Sequence, residues 1–319
     1  MPIRSTRNLE SYYDRFSTSG AGGPPTIGSY AYLGGRGVFA SGSIPSHNID
    51  YITIDTTGNA TDFGDALTDR KWLAGNAAHD GRGVYAGGQT PQTNAIEYVT
   101  IANPGNATDF GDLTEENWEG SGCGSGAGRA VMGGGYQGNA SGKGLDYITI
   151  ASTGNAQDFG NFSSSRFEAA GITGGDDGVR GLFGGGYSNG DVNVIDYITF
   201  ASTGNATDFG DLTVARYGPA GGVGNDDRGL FAGGAPSQAT IDYVTPSTTG
   251  NATDFGDLVT AYWFVSCSGT ANPEGRGVYG GGNPAANTIQ YVTIATTGDS
   301  IDFGDLNETK NGPGTFSGD

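Results

Sequence analysis

The sequence YITFASTGNATDFGDL at residues 197–212 decides the fold, because close variants of it occur six times along the chain. Its tyrosine recurs at Tyr51, Tyr98, Tyr147, Tyr197, Tyr243 and Tyr291. Its phenylalanine recurs at Phe63, Phe110, Phe159, Phe209, Phe255 and Phe303. Both series advance by 47, 49, 50, 46 and 48 residues. A period of this size is typical of solenoids, propellers and arrays.

The pattern inside one repeat distinguishes between these architectures. Residues 96–101 are rich in β-branched and aromatic side chains, which favour a strand, and the Gly105-Asn106 pair that follows favours a tight turn. Residues 107–113 then form a third strand, and a less regular fourth strand carries an aromatic residue. That aromatic residue is Trp72, Trp118, Phe167, Tyr217 or Trp263. No segment shows sustained helical periodicity, so the chain is predicted to be an all-β, six-bladed β-propeller with four-stranded antiparallel blades.

The predicted propeller occupies residues 28–319 and has to close into a ring. Its repeats lie at about 28–80, 81–126, 127–177, 178–227, 228–274 and 275–319. Residues 310–316 resemble residues 216–220, which precede the fifth repeat. We therefore expect a C-terminal strand to complete the first blade beside residues 36–42 and to remove its open edge, with residues 29–33 as the rival for that place.

A third recurring residue is an arginine, which begins a short segment that ends in glycine, such as RGVYAGG at residues 82–88. The recurring arginines are Arg36, Arg82, Arg129, Arg180, Arg228 and Arg276. A residue needed in every blade is expected to hold blades together, and a guanidinium fork on a carboxylate suits that purpose. The recurring aspartates, such as Asp62 and Asp65, are read as its partners or as strand-end acceptors rather than as calcium ligands.

The glycine doublet that ends this run, such as Gly87-Gly88, resembles the kelch repeat. The tract at residues 197–212 more specifically resembles kelch-like repeat proteins encoded by tailed bacteriophages, notably those of marine bacteria, and the likeness covers over 90% of the chain. The resemblance implies a kelch-like propeller that is a virion structural protein of the tail, baseplate or fibre, assembled in the host cytoplasm. Its implied partners are other virion subunits and a glycan or receptor of the host surface.

Composition and motifs exclude several function classes. Lys and Arg number 15 against 34 Asp and Glu, a formal charge of −19, which argues against nucleic acid or an anionic membrane as a partner. There is no apolar run long enough for membrane insertion. The chain has no nucleophile elbow, P-loop or zinc-spaced cluster, and its only histidines are His47 and His79. We expect a non-enzymatic protein without cofactor or metal.

The two cysteines, Cys123 and Cys267, fall on innermost-strand segments of the third and sixth copies. In a six-bladed ring these copies lie opposite one another, too far apart for a disulfide. We therefore expect buried thiols that do not pair, in keeping with assembly in a reducing cytoplasm.

The loops after the glycine doublets differ in length and content and should emerge on one face of the disc. They are residues 43–48, 89–95, 136–144, 187–194, 235–240 and 283–288. Such variation on a constant scaffold is typical of a binding surface, although loops also vary simply because they tolerate change. The candidate binding residues are Tyr136, Asn139, Tyr187 and Asn189. Alternatives to the structural role are a lectin-like carbohydrate-binding propeller and, less favoured, a glycan-degrading enzyme.

Residues 1–27 stand apart from the repeats as an N-terminal arm, with a Gly/Pro-rich linker at residues 20–25. Its anchoring candidates are Arg4, Arg7, Tyr12, Tyr13, Arg15 and Phe16. Aromatic and arginine side chains of this kind are frequent hot spots of protein interfaces. The arm is expected to dock on a neighbouring virion subunit or, alternatively, on its own propeller face.

Overall fold

The computed structural model of the chain describes residues 35–42, 47–125, 127–137, 140–174, 179–224, 227–236, 238–269 and 275–318. The expectations for the arm at residues 1–27, for the rival strand at residues 29–33 and for Asn139 lie outside these residues. Over the described ranges the chain contains strands and turns but no helix, and therefore no helix that could cross a membrane.

The described residues form six four-stranded antiparallel sheets, which are the blades of a β-propeller, as predicted. The innermost strands are β4 (Gly75–His79), β9 (Ser121–Gly124), β15 (Ala170–Gly174), β19 (Ala220–Gly224), β23 (Ser266–Gly269) and β27 (Gly314–Gly318). The second strands are β1 (Arg36–Ala40), β5 (Arg82–Ala86), β10 (Arg129–Gly133), β16 (Arg180–Gly184), β20 (Gly229–Ala232) and β24 (Arg276–Gly280). The third strands are β2 (Asn48–Thr53), β6 (Ala95–Thr100), β13 (Gly144–Thr149), β17 (Val194–Thr199), β21 (Thr240–Val244) and β25 (Ala286–Thr293). The outer strands are β3 (Thr61–Asp65), β7 (Thr108–Asp112), β14 (Gln157–Asn161), β18 (Thr207–Asp211), β22 (Thr253–Asp257) and β26 (Ile301–Lys310).

A smaller sheet lies beside the third blade. It consists of β8 (Asn117–Trp118), β11 (Tyr136–Gln137) and β12 (Ala140–Ser141). In this sheet Trp118 pairs with Tyr136, so the segment that enters the innermost strand lies against the loop that leaves the second strand. Bridges at equivalent positions occur in four other blades, for example between Phe167 and Tyr187. The variable loops and the entries to the innermost strands therefore share one face of the propeller.

The ring closes through the C-terminal strand. β27 pairs with β1, from Arg36 opposite Gly318 to Ala40 opposite Gly314, which confirms the predicted closure. Each innermost strand also packs against the innermost strands of both neighbouring blades, in the order β27, β4, β9, β15, β19, β23 and back to β27. Every blade other than the first takes its innermost strand from the end of the preceding sequence repeat.

The segment DFGD, at residues 62–65 and 109–112 and, in this or a closely similar form, at the equivalent place in the later repeats, is called here the DFGD motif and is explained by a contact between neighbouring blades. The N–H of Gly154, in the turn of the third blade, donates to the carbonyl of Phe110 in the second at 2.8 Å. The side chain of Asn155 accepts from the N–H of Asp112 at 3.2 Å. A Cβ on Gly111 would lie 2.5 Å from the carbonyl oxygen of Gly154, so only glycine fits there. The same contacts recur around the rim, which is why the motif is repeated.

The six recurring arginines also connect blades, but through carbonyl oxygens rather than carboxylates. Arg82, for example, donates from Nη1 to the carbonyl of Ile150 in the next blade at 2.8 Å. Its guanidinium lies 4.4 Å from the ring centroid of Tyr98 in its own blade. Arg36, Arg129, Arg180, Arg228 and Arg276 make the equivalent pair of contacts. The aspartates of the DFGD motif are therefore not their partners.

Buried ion pairs are formed by a different set of residues. Four cations, each at the entry to an innermost strand, pair with an acidic residue of a third strand. The pairs are Arg70–Glu97, Arg166–Asp196, Arg216–Asp242 and Lys310–Asp50. At the equivalent place in the sixth blade both residues are neutral, Tyr262 and Gln290. In the third blade Asn117 replaces the cation, and the carboxylate of Asp146 accepts hydrogen bonds from Thr114 instead. Where the cation is missing, the acidic residue is therefore either replaced by a neutral one, as at Gln290, or hydrogen-bonded by another group, as at Asp146.

The hydrophobic core lies between the faces of adjacent blades. Val84, Ile96 and Phe110 of the second blade, for example, pack with Met132 and Ile148 of the third. Cys123 and Cys267 are buried and are not joined by a disulfide, which confirms that expectation. Because each interface repeats, a small set of large side chains in each copy fills a core that continues around the ring.

Candidate binding site at the propeller axis

The entries to the innermost strands form a ring around the axis, called here the axial collar. Its members are Trp72 (φ 53°), Glu119 (54°), Glu168 (57°), Gly218 (61°), Phe264 (54°) and Gly312 (61°). Backbone N–H groups of four of them donate to the carbonyl of the preceding member, at 2.7 to 3.0 Å. All six residues occupy the same left-handed backbone conformation whatever their side chain, and the backbone hydrogen bonds between neighbouring members accompany it.

The collar carries strained backbone at four of its six positions. The left-handed region is open to glycine but is unfavourable for residues with a Cβ, at about 1–3 kcal/mol each. Gly218 and Gly312 show that glycine satisfies the fold at this position. Trp72, Phe264 and the two glutamates nevertheless occupy it. Side chains retained against backbone strain indicate a functional site.

Aromatic side chains form a closed circle on this face, called here the aromatic girdle. Among the described residues its members are Trp72, Trp118, Tyr136, Phe167, Tyr187, Tyr217, Trp263 and Phe264, with neighbouring ring centroids 4.4 to 6.0 Å apart. The girdle includes all three tryptophans of the chain, and each member is half-buried. The Nζ of Lys71 lies 3.9 Å from the Trp72 ring centroid, so one ring face already holds a cation.

Two acidic groups of the collar lie side by side. Glu119 and Glu168 are only 7% and 6% exposed, and their carboxyl groups are within hydrogen-bonding distance of one another. Burial raises the pKa of Glu119 to about 7, and burial together with the Glu119 charge raises that of Glu168 to about 9. The pair therefore holds a proton at neutral pH, so that one carboxyl can donate to the other.

The pair includes an acceptor that the rest of the described chain leaves unsatisfied. Oε2 of Glu168 is buried, and apart from the neighbouring Glu119 carboxyl no group of the described chain is placed to donate to it. A Cβ built on Gly218 would lie 3.7 Å from this oxygen and 3.8 Å from Cδ1 of Phe264. The gap that Gly218 leaves in the collar thus lies between a carboxyl group and an aromatic ring.

Below the collar lies a cavity of about 90 Å³ to which all six blades contribute. Its walls include polar side chains of the innermost strands, namely Asn76, Ser121, Ser266 and Thr315. This space is sufficient for a few water molecules or for the head group of a small ligand. The described residues contain no group of three or more His, Cys, Asp and Glu side chains that could hold a metal ion.

The structure brings together two of the four binding residues proposed from the sequence. Tyr136 and Tyr187 flank Phe167 in the girdle, with centroids 4.4 and 5.3 Å from its ring. Asn189 is exposed at the tip of its loop, at φ 59°, and makes no girdle contact. Asn139 lies outside the described residues.

Sequence reasoning missed the collar. When the six repeats are aligned, one position is glycine in two copies and is Trp72, Glu119, Glu168 or Phe264 in the others. Variation at a single position between otherwise similar segments is the signal that could have identified the collar. A comparison of the chain with protein-family models and with curated proteins finds no match. The arrangement itself, with aromatic faces, a proton-sharing acid pair and a small cavity, suits the binding of a ligand at the axis. A β-propeller is compatible with such a binding or protein-interaction disc.

Proposed function

We propose that the chain is a non-enzymatic recognition protein of a tailed-bacteriophage virion, located in the tail, baseplate or fibre. Its loop face binds a neighbouring virion subunit or the host surface. The virion assignment is supported by the resemblance of residues 197–212 to phage kelch-like repeats. The recognition role is supported by one observation above others, the four large side chains held in left-handed backbone at the axial collar.

The geometry of the acid pair favours binding over hydrolysis of a glycan. Glycosidases keep their two carboxyl groups apart, at about 5–5.5 Å in retaining and 6.5–9.5 Å in inverting enzymes, so that the scissile bond fits between them. Glu119 and Glu168 instead lie within hydrogen-bonding distance of one another and are nearly fully buried. A sugar bond does not fit between groups that share a proton.

A second candidate function is carbohydrate binding, and the aromatic girdle favours it. Sugar rings stack on aromatic faces, and the girdle offers half-buried rings on the face where the variable loops lie. Under this alternative the recognised host component is a polysaccharide rather than a protein.

Particles of the phage that encodes the chain test the virion assignment. Gold-labelled antibodies against the chain are expected to decorate the tail region of washed particles in electron micrographs. A chain that is absent from washed particles contradicts the assignment.

Adsorption tests the recognition role. Purified chain is expected to compete with particles for host cells or, if its partner is a virion subunit, to bind particles that lack it. Tyr136→Ala/Tyr187→Ala should weaken the effect at least tenfold, whereas Asp109→Asn on the exposed outer strand β7 should leave it unchanged. Binding to purified surface polysaccharide that survives protease treatment would favour the carbohydrate alternative, and equal effects of the two variants would contradict the role of the loop face.

A further inference from the structure

The acid pair of the collar differs from the other buried acidic groups in lacking a cation. Glu97, Asp196, Asp242 and Asp50 each lie beside a buried arginine or lysine of this chain. Glu119 and Glu168 lie beside each other, and Lys71, whose charge acts on Glu119, has its Nζ on the Trp72 ring rather than in an ion pair with either carboxyl group. The collar is therefore a place where the chain buries two carboxyl groups and supplies no ion-pair partner among its described residues.

Aromatic faces lie beside the same groups. Trp72 and Phe264 stack across Gly312 with ring centroids 6.0 Å apart, and Phe264 also borders the gap left by Gly218. Aromatic faces attract ammonium groups through their quadrupoles, and the contact of Lys71 with Trp72 is an example within this chain. Carboxylates accept the N–H donors of an ammonium, while rings accommodate its alkyl chain. Both are present on opposite sides of one small opening.

Electrostatics and space favour a slender cation. The net charge of −19 raises the local concentration of positively charged ligands. The cavity of about 90 Å³ accommodates an unbranched alkyl-ammonium more readily than an amine attached directly to a sugar ring. Oε2 of Glu168, buried and without a donor apart from the Glu119 carboxyl, supplies an acceptor for its N–H groups.

We infer that the axial collar binds the side-chain ammonium of a lysine presented by a protein partner. The ammonium donates to Glu119 and Glu168, its alkyl chain lies against Trp72 and Phe264, and the proton shared by the two carboxyls is released to solvent. The inference deepens the proposed recognition function and rests on it. The titratable groups that face the pair are Lys71, Asp191, Tyr136, Tyr187 and Tyr217.

A titration with n-butylammonium chloride, which reproduces the lysine side chain, tests the inference. Because all three tryptophans lie in the girdle, the intrinsic tryptophan fluorescence of the full chain reports on this face alone. We expect a saturable change with a millimolar Kd, and none with n-butanol at matched ionic strength. Since one proton is released, the affinity should rise by up to about tenfold per pH unit while the pair remains protonated.

The collar offers variants that preserve its backbone. Glu119→Gly/Glu168→Gly places at these positions the residue already found in two other blades, and it should lower the affinity for n-butylammonium at least tenfold. Glu168→Gln retains the size of the side chain and should give a loss in the same direction. Asp109→Asn removes a charge from the exposed outer strand and should titrate like the wild type.

Several outcomes would overturn the inference. They are equal binding of n-butanol, an unchanged affinity in both collar variants, and the absence of a saturable signal in both fluorescence and calorimetry. Tighter binding of D-glucosamine than of n-butylammonium would assign the site to an amine-bearing glycan and would also overturn the lysine assignment. If the chain competes in adsorption but ignores n-butylammonium, recognition stands and the ligand class is wrong. If it binds n-butylammonium but neither particles nor cells, the proposed function fails instead.

Discussion

Replacement of Arg216 by methionine tests how the buried ion pairs contribute to stability. Arg216 and Asp242 are both fully buried, and Nη2 of the arginine lies 2.9 Å from Oδ2 of the aspartate. The arginine also donates to the carbonyl of Phe231 at 3.1 Å. Among the described residues, the Asp242 carboxylate in the variant retains the N–H and hydroxyl of Thr213 as donors. A buried negative charge would then remain without a cation.

The expected loss follows from these contacts. Removing one partner of a buried ion pair costs about 3–5 kcal/mol, because the remaining charge is still desolvated. For a chain of this size about 1 kcal/mol corresponds to about 2 °C in Tm. Arg216→Met should therefore lower the Tm by about 6–10 °C.

The sixth blade shows which neutral residues can replace the buried ion pair. Tyr262 occupies the position equivalent to Arg216, and Gln290 the position equivalent to Asp242. Gln290 is buried and hydrogen-bonded to Ser300 and Thr260, so a neutral pair satisfies the same place. Arg216→Tyr/Asp242→Gln should thus lose less than half as much stability as Arg216→Met, since replacement of a whole buried ion pair is often nearly neutral.

Differential scanning calorimetry or urea unfolding of the wild type and both variants measures the difference. Circular dichroism below the transition checks that each variant retains the β-structure. If Arg216→Met loses less than about 1 kcal/mol, or if the double variant is as unstable as the single one, an uncompensated buried charge is not what destabilises the blade.

Three further predictions concern the rim, the collar and the closure. Gly111→Ala should destabilise the propeller by about 3 kcal/mol or more in urea unfolding, because the new Cβ would clash with the Gly154 carbonyl and the backbone at this position is left-handed. A Cβ at Gly105 would have no atom within 4 Å, so the control Gly105→Ala should be neutral or stabilise by about 0.4–1 kcal/mol. The wild type should lose stability as pH rises from 5 to 9, because the pKa values of Glu119 and Glu168 are higher in the folded than in the unfolded state. The stabilisation from their protonation is complete only below the unfolded pKa values, and each proton held only by the folded state lowers the free energy of unfolding by about 1.4 kcal/mol per pH unit. Glu119→Gln/Glu168→Gln should flatten this dependence in calorimetric scans. Deletion of residues 313–319 should abolish cooperative unfolding, because it removes β27 from β1 and Phe316 from its stack on Tyr85, while deletion of Asp319 alone should have no effect.

Each of the three has an outcome that would contradict its reasoning. Equal stability of the two alanine variants would show that the rim does not require glycine at position 111. An unchanged pH dependence in the double glutamine variant would mean that the acid pair does not share a proton. A monomeric, cooperatively unfolding protein that lacks β27 would show that closure by the C-terminal strand is dispensable.

The repeat, the strand order and the closure were predictable from the sequence because every copy meets the same packing requirement. Phe110 must fill the space between two blades, and Gly111 must admit the turn of the next one, so both recur in all six copies. The C-terminal strand was predictable because residues 310–316 repeat a segment that had no blade of its own. A packing requirement that recurs in every blade therefore places the same residue at the same position of every repeat.

The partners of the charged residues were not predictable in the same way. Arg82 lies at a strand end, where the carbonyl of Ile150 is within reach, and a carbonyl leaves no side-chain signature in the sequence. The collar was hidden for a related reason. Glycines such as Gly218 and Gly312 allow a left-handed backbone to be predicted from the sequence, whereas Trp72 and Glu168 adopt it against their conformational preference.

Two positions of the repeat differ between copies, and they differ in different ways. One is the position of the buried cation, and the other is the collar position. The buried cation is lost at Tyr262 together with its acidic partner, at Gln290. It is also lost at Asn117, where Thr114 donates to the Asp146 carboxylate instead, so both changes are compensated inside the chain. At the collar, glycine is replaced by Glu119 and Glu168 without any buried cation among the described residues to accompany them. The fold requires neither the acids nor the strained backbone, since glycine serves in two other blades. Two buried acids without an ion pair among the described residues are best explained by a cation from outside the chain, and this difference between the two positions is the reason for seeking a ligand at the axis.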